Sequence, residues 1–254
     1  MIIRFLGTGT SQGIPVINCT CKVCTSLDTR NSRLRSSLWV QTDKNSILID
    51  IGPDFRQQAL SNGIKRLDAI LLTHEHADHT AGMDDIRPIC FEMGHKIPLF
   101  SEARVLLDIQ KRFYYIFGEN NYPGLPQLEL REIIADQPFL INSEPILPIR
   151  IWHGTLGVLA FQIGTLVYIT DAKHIDEAGL EKMKHCEVLV INALRHKEHH
   201  SHLNLTQAID IIHKIQPKQS FLTHISHQLG LHHEVEEILE PDIRLAYDGL
   251  VISI

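Results

Sequence analysis

The chain has 254 residues, 44% of them hydrophobic and 21% charged, values that exclude a disordered polymer and a membrane-embedded protein. A chain of this length can bury roughly 75% of its unfolded surface in a core without disulfide staples. Lys and Arg number 24 against 30 Asp and Glu, a formal charge of -6, which argues against general binding of polynucleotides.

The opening run Met1-Ile2-Ile3-Arg4-Phe5-Leu6-Gly7 lacks the features of an export signal, and no apolar stretch approaches the ~20 residues of a spanning helix, so a cytoplasmic protein is expected. Residues 1–6, 37–42 and 46–51 read as strands, the last two joined by the turn Asp43-Lys44-Asn45. A helix follows over 53–61, opened by Pro53 and stopped by Asn62-Gly63, and then an apolar run of buried-strand type over 67–73. The pattern next predicts a segment 84–87 ended by Pro88, a helix over 102–117, and a Gly/Pro/Asn loop over 119–126. Strands are expected at 144–152, 156–163, 165–170, 187–191 and 219–223, with helices at 176–184 and 206–215. The halves echo each other: Leu71-Leu72-Thr73-His74 matches Phe221-Leu222-Thr223-His224, and Leu48-Ile49-Asp50 matches Tyr168-Ile169-Thr170-Asp171. Two mixed sheets packed face to face are implied, with helices outside and ligands gathered at one rim, in one α/β domain spanning 1–254.

Histidine is the conspicuous residue, with 16 copies. His74-Glu75-His76-Ala77-Asp78-His79 directly follows an apolar strand. Residues two apart in extended backbone face the same way, so His74 and His76 can converge on one ion while the following turn swings Asp78 and His79 toward another. Two ions about 3.5–4 Å apart activate water for in-line attack and neutralise a phosphoryl or carbonyl transition state. Imidazole and carboxylate without thiolate suit Zn, Mn or Fe. Cys19, Cys21 and Cys24 crowd three sulfurs into six residues, enough for one tetrahedral Zn if a fourth ligand joins them, and His227 is the candidate. Gly7-x-Gly9-x-x-x-Gly13 follows a strand but lacks the spacing and the helix of a dinucleotide loop. In Arg195-His196-Lys197-Glu198-His199-His200-Ser201-His202, the first three histidines read as a polar loop.

The histidine-aspartate segment resembles the defining motif of the metallo-β-lactamase-fold superfamily, a four-layer αββα sandwich. That resemblance implies that one ion takes His74, His76 and His153, that the other takes Asp78, His79 and His224, and that Asp171 bridges them, with Asp50 bracing the ligand loop. The cysteine cluster with Thr223-His224-Ile225-Ser226-His227 is similar to the phosphoribosyl cyclic phosphate phosphodiesterases of phosphonate breakdown, the PhnP type, in which three cysteines and the second histidine hold a structural zinc. His202, within Ser201-His202-Leu203-Asn204-Leu205, resembles that type's non-ligand histidine beside the leaving group, so Asp78 and His202 are the expected catalytic residues. Asp84-Asp85-Ile86-Arg87-Pro88 has no counterpart to carry over. The expectation is a hydrolase with two divalent ions, Mn or Zn, and one structural Zn, acting on a small cyclic or nucleotide-like phosphodiester. No membrane and no nucleic acid is expected as first partner, and a homodimer is a candidate assembly. The alternatives are a tRNA 3′-processing-type endonuclease and a non-catalytic carrier on the same fold.

Overall fold

Runs such as Ile47-Leu48-Ile49, Ala69-Ile70-Leu71 and Val188-Leu189-Val190-Ile191 have no polar face to offer water, so each must be covered on both sides. The computed structural model, which describes residues 1–118 and 122–254, covers them by packing two sheets face to face beneath outer helices. The strands are β1 (Ile2–Gly7), β2 (Ser37–Gln41), β3 (Ser46–Ile49), β4 (Ala69–Leu71), β5 (Ile97–Ser101), β6 (Leu128–Glu132), β7 (Phe139–Ile141), β8 (Glu144–His153), β9 (Leu156–Ile163), β10 (Leu166–Tyr168), β11 (Val188–Asn192), β12 (Gln219–Thr223), β13 (Ile243–Leu245) and β14 (Val251–Ser253). The first sheet runs β14-β1-β2-β3-β4-β5-β6 and the second β13-β12-β11-β10-β9-β8-β7. Each is mixed: β3 to β6 pair in parallel in one, β10 to β13 in the other, and the remaining neighbours are antiparallel. The helices are α1 (Phe55–Asn62), α2 (Ala77–Thr80), α3 (Arg87–Met93), α4 (Ala103–Arg112), α5 (Tyr114–Phe117), α6 (Glu177–Met183), α7 (Leu205–Ile215) and α8 (His232–Glu236).

Three apolar layers result. The middle one joins Phe5, Val40 and Ile49 of the first sheet to Phe161, Tyr168 and Phe221 of the second. An outer layer packs α1, α3 and α4 on the first sheet, and another packs α6 and α7 on the second. This is the four-layer αββα sandwich expected from the sequence. No helix among the described residues is long and apolar enough to cross a membrane.

The differences from expectation have local causes. Pro88 does not end a segment; it sits in the first turn of α3, where its missing N–H costs nothing, after a 3-10 turn over Met83–Ile86. The helix expected over 102–117 breaks at Phe113, which leaves helical geometry, and Phe113 and Phe117 both reach the outer layer. The loop expected over 119–126 lies partly outside the described residues. The repeated halves are not superposable: β3 and β4 are neighbours, whereas β11 intervenes between β10 and β12.

The turn after β3 is held against α2 partly by backbone: Ile51 donates its N–H to the His79 carbonyl at 2.8 Å, and Gly82 donates to the Ile51 carbonyl at 2.9 Å. A Cβ on Gly52 would fall inside the Asp78 carbonyl oxygen. Gly52→Ala should therefore cost roughly 1–3 kcal/mol in overpacking and displace Asp78. Gly63 ends α1 at φ 64 with open space around it, and Gly63→Ala should cost about 1 kcal/mol without touching the loop. Metal analysis separates them: Gly52→Ala should lose bound ions and Gly63→Ala should not, and full occupancy in Gly52→Ala would show that the contact does not position Asp78.

Candidate metal centre

The centre is assembled around Asp50, which has no exposed surface and adopts φ 61 just past β3. A buried carboxylate must spend its lone pairs. Asp50 accepts from the Thr73 backbone N–H at 2.9 Å, from the Thr73 hydroxyl at 3.0 Å, and from His79 Nδ1–H at 2.6 Å. With its hydroxyl hydrogen on Asp50, Thr73 Oγ1 can accept from His74 Nδ1–H at 2.9 Å. Both rings are thereby held with Nδ1 protonated and Nε2 free, the arrangement expected of metal-binding imidazoles. His74 Nε2 faces His76 Nδ1 at 2.9 Å.

His79 Nε2 is buried and has no hydrogen-bond partner among the described residues, although it lies 3.2 Å from a carboxylate oxygen of Asp78 and of Asp171. Such an orphaned nitrogen between two carboxylates is a place for a cation. Burial opposes charge on this ring, but Asp50, Asp78 and Asp171 outweigh it and hold His79 well above the ordinary imidazole range. The converse holds for Asp171: burial pushes it up, yet His224 and His79 bring it well below the usual carboxylate range.

The second half supplies the rest. Asp171 follows β10 at φ 56 and accepts from the Thr170 hydroxyl at 2.7 Å. His224 follows β12 at φ 53, with Nδ1 3.2 Å from Asp171 Oδ2 and Nε2 3.1 Å from Thr10 Oγ1. His153, at the end of β8, donates from Nδ1 to the Ser201 carbonyl at 2.8 Å. Donor atoms of Asp78, His79 and His224 lie within 4.8 Å of one another, as do those of His74, His79 and Asp171, and those of His153, Asp171 and His202. Asp171 belongs to two of these three groups and its Oδ2 is also 3.2 Å from His79 Nε2 and from His224 Nδ1, so it stands between the His74 and His153 side and the Asp78, His79 and His224 side. His76 completes the first beside His74 and His153, at ring-centroid separations of 4.5 and 5.3 Å. Two carboxylates and five imidazoles around one rim fit a pair of divalent ions.

Cys19, Cys21 and Cys24 place their sulfurs 3.2, 3.4 and 3.5 Å from His227 Nδ1. The Cys24 backbone N–H, ahead of His227, pulls the Cys21 thiol down to about 6, supplying a thiolate at neutral pH. Three sulfurs and one nitrogen suit a tetrahedral zinc.

Two features escaped the sequence, the threonine hydroxyls and His199. Thr73, Thr170 and Thr10 contact His74, Asp171 and His224 through their hydroxyls; Thr73-His74 and Thr170-Asp171 at strand ends signal the first two, and Thr10 stands far from its partner in sequence. His202, expected from the sequence beside the leaving group, has its Nε2 2.9 Å from Asp171 Oδ1. His199, expected in a polar loop, has its Nδ1 3.1 Å from His202 Nδ1. Four arginines are held by partners of their own: Arg33 donates to Thr8 inside the protein, Arg30 pairs with Asp28, Arg35 with Asp54 and Arg87 with Asp84.

A family model for the beta-lactamase superfamily domain matches residues 45–225, which hold every residue of the histidine-aspartate centre but neither the cysteines nor His227. The chain is similar to an octanoyltransferase of Porphyromonas gingivalis, 47% identical over 247 residues that make up 96% of this chain and 50% of that protein. It therefore spans about half the length of this curated relative. Among solved structures, a diphosphatase from the PhnP family is 37% identical, with a TM-score of 0.92 over 99% of this chain and 96% of that one. Zn(2+)-bound PqqB from Methylobacterium extorquens is 17% identical with a TM-score of 0.81 over the whole of both chains, a likeness of fold.

Metal-replete protein should carry two ions at the histidine-aspartate centre and one at the cysteines. Asp171→Ala should empty the first pair, because its carboxylate borders both groups, while sparing the cysteine ion; Cys21→Ser should do the reverse. Elemental analysis of the two variants checks this, and an Asp171→Ala protein that keeps both ions would show that Asp171 does not bridge.

Proposed function

The chain belongs to the beta-lactamase superfamily and, within it, to the PhnP family, and from that footing we propose that it is a dinuclear metal-dependent phosphodiesterase acting on a small cyclic or nucleotide-like phosphodiester. The observation that carries this reading is His202, whose Nε2 faces the Asp171 carboxylate at 2.9 Å while its ring lies 4.5 Å from His153 and 5.1 Å from His224. That position supports a role for His202 as proton donor at the seam of the centre. Two divalent ions against the carboxylates of Asp78 and Asp171 leave a net positive site, suited to an anionic diester. The diphosphatase named among the solved relatives also cleaves at phosphorus by its name, which supports phosphoryl over acyl chemistry.

His74, His76 and His153 would hold one ion, Asp78, His79 and His224 the other, with Asp171 between. When bound, the ions supply Lewis acidity that draws charge from the phosphoryl oxygens and lowers the pKa of the attacking water. The chain's own residues do the rest. Asp50, Thr73 and the Ser201 carbonyl keep the imidazoles in the tautomer that leaves Nε2 free. His202 gives its Nε2 proton to the departing alkoxide as the P–O bond breaks.

A second reading, hydrolysis of an acyl ester or thioester, draws on the 47% identity to half of a protein named octanoyltransferase. RNA 3′-end processing is disfavoured by the formal charge of -6. A panel on Mn- or Zn-reconstituted protein should show turnover of cyclic and alkyl phosphodiesters above that of a diphosphate, an octanoyl thioester or an RNA 3′ trailer. Faster cleavage of the thioester would replace this reading by the second.

His202→Ala should keep full metal content while turnover of an alkyl diester falls roughly 10²–10⁴-fold. A p-nitrophenyl ester, whose leaving group hardly needs a proton, should lose less. Equal losses on both would reject the acid role, and loss of metal would make His202 a ligand.

A further inference from the structure

The loop before α7 carries a histidine that the proposed chemistry does not use. His199 is half-buried, and its Nδ1 receives the Ser201 backbone N–H at 3.3 Å. A backbone amide can only donate, so His199 Nδ1 presents a lone pair and the ring's own proton sits on Nε2. Burial, ahead of the neighbouring His202, brings this ring down to about 4, so it stays neutral near pH 7. The same lone pair lies 3.1 Å from His202 Nδ1. Two lone pairs at that separation would repel, so His202 Nδ1 must carry a hydrogen. Ser201 Oγ, 3.1 Å from the same nitrogen, can accept from it as well.

We propose that His199 is a positioning residue for His202: its Nδ1 accepts from His202 Nδ1–H, fixing the ring plane and directing His202 Nε2 at the reacting centre. This rests on the reading of His202 as proton donor. The proton balance is consistent with it. When the Nε2 hydrogen passes to the leaving oxygen, the Nδ1 hydrogen stays on the bond to His199, so the ring needs no tautomer change in the step. Without His199, the Ser201 hydroxyl can turn and donate to His202 Nδ1. The neutral ring then carries its hydrogen on Nε2, and the proton held at Nδ1 is lost. The ring of His200 lies tilted with its centroid 4.3 Å from that of His199, and His200 is exposed.

The test pairs spectroscopy of the metal-free protein with kinetics of the loaded one. Long-range ¹H–¹⁵N spectra, with the His202 signals identified from their absence in His202→Ala, should show His202 Nδ1 protonated in the wild type. In His199→Leu that nitrogen should lose its proton. In His199→Asn, whose side-chain oxygen falls near the lost Nδ1, it should keep it. With metals bound at wild-type stoichiometry, His199→Leu should lower kcat on an alkyl diester roughly 10–100-fold, the usual worth of a group that orients a functional histidine, and p-nitrophenyl ester turnover by less, with recovery in His199→Asn. His199→Ala serves if the leucine variant does not fold. An unchanged Nδ1 proton in His199→Leu overturns the inference, as does unchanged kcat when His202→Ala is impaired. If His202→Ala itself loses nothing on alkyl diesters while the Nδ1 proton still depends on His199, the acid reading fails and the positioning contact stands.

Discussion

A carboxylate sealed from water is tolerable only when its oxygens are fully occupied, and Asp50 meets that condition with three donors, two of them from Thr73 and one from His79. Much of the rim depends on this. To reach Thr73, the chain after β3 enters the left-handed region at Asp50 and then runs so close to α2 that Gly52 cannot carry a side chain. Because the carboxylate consumes the Nδ1 hydrogen of His79, the Nε2 of that ring is left with no partner among the described residues and points between Asp78 and Asp171. The stability cost of burying charge is thus converted into an oriented donor set.

The second sheet answers with a related construction rather than a copy. Thr170 and Asp171 adjoin β10, and Thr223 and His224 adjoin β12, in sequence terms the counterparts of Asp50 and of Thr73-His74. Here the aspartate is turned into the centre instead of beneath it, and the insertion of β11 separates the two strand ends. One aspartate therefore braces the ligand loop and the other faces the centre. The same logic extends outward to the loop before α7, where the Ser201 carbonyl holds His153 and the His199 ring faces His202.

The ligand types were legible because short spacing encodes them: His74 to His79 and Cys19 to Cys24 each lie within six residues, and the apolar runs before His74 and His224 marked strand ends. The strands with continuous apolar sequence were legible for the same reason. Short edge strands such as β7 and β14, with mixed burial, offer too little periodicity to detect. Left-handed backbone at Asp50, Asp171 and His224 has no sequence mark, since none is glycine and the conformation is imposed by the contacts around it. His199 was hidden for another reason: in a run of polar residues, the partner of a ring nitrogen is decided by loop geometry, which composition does not record. Pro88 misled because proline stops a helix from within but is welcome in its first turn.

The claim that Asp50 organises the centre is open to one direct measurement, calorimetric titration of Zn or Mn into metal-free wild-type protein and Asp50→Asn. The amide keeps the size of the carboxylate but cannot serve both Thr73 and His79 as acceptors, because its nitrogen would meet a donor. Affinity should be roughly 10–100-fold weaker in Asp50→Asn with the far-ultraviolet dichroism of a folded sandwich retained. Wild-type affinity for both ions in that variant would contradict it.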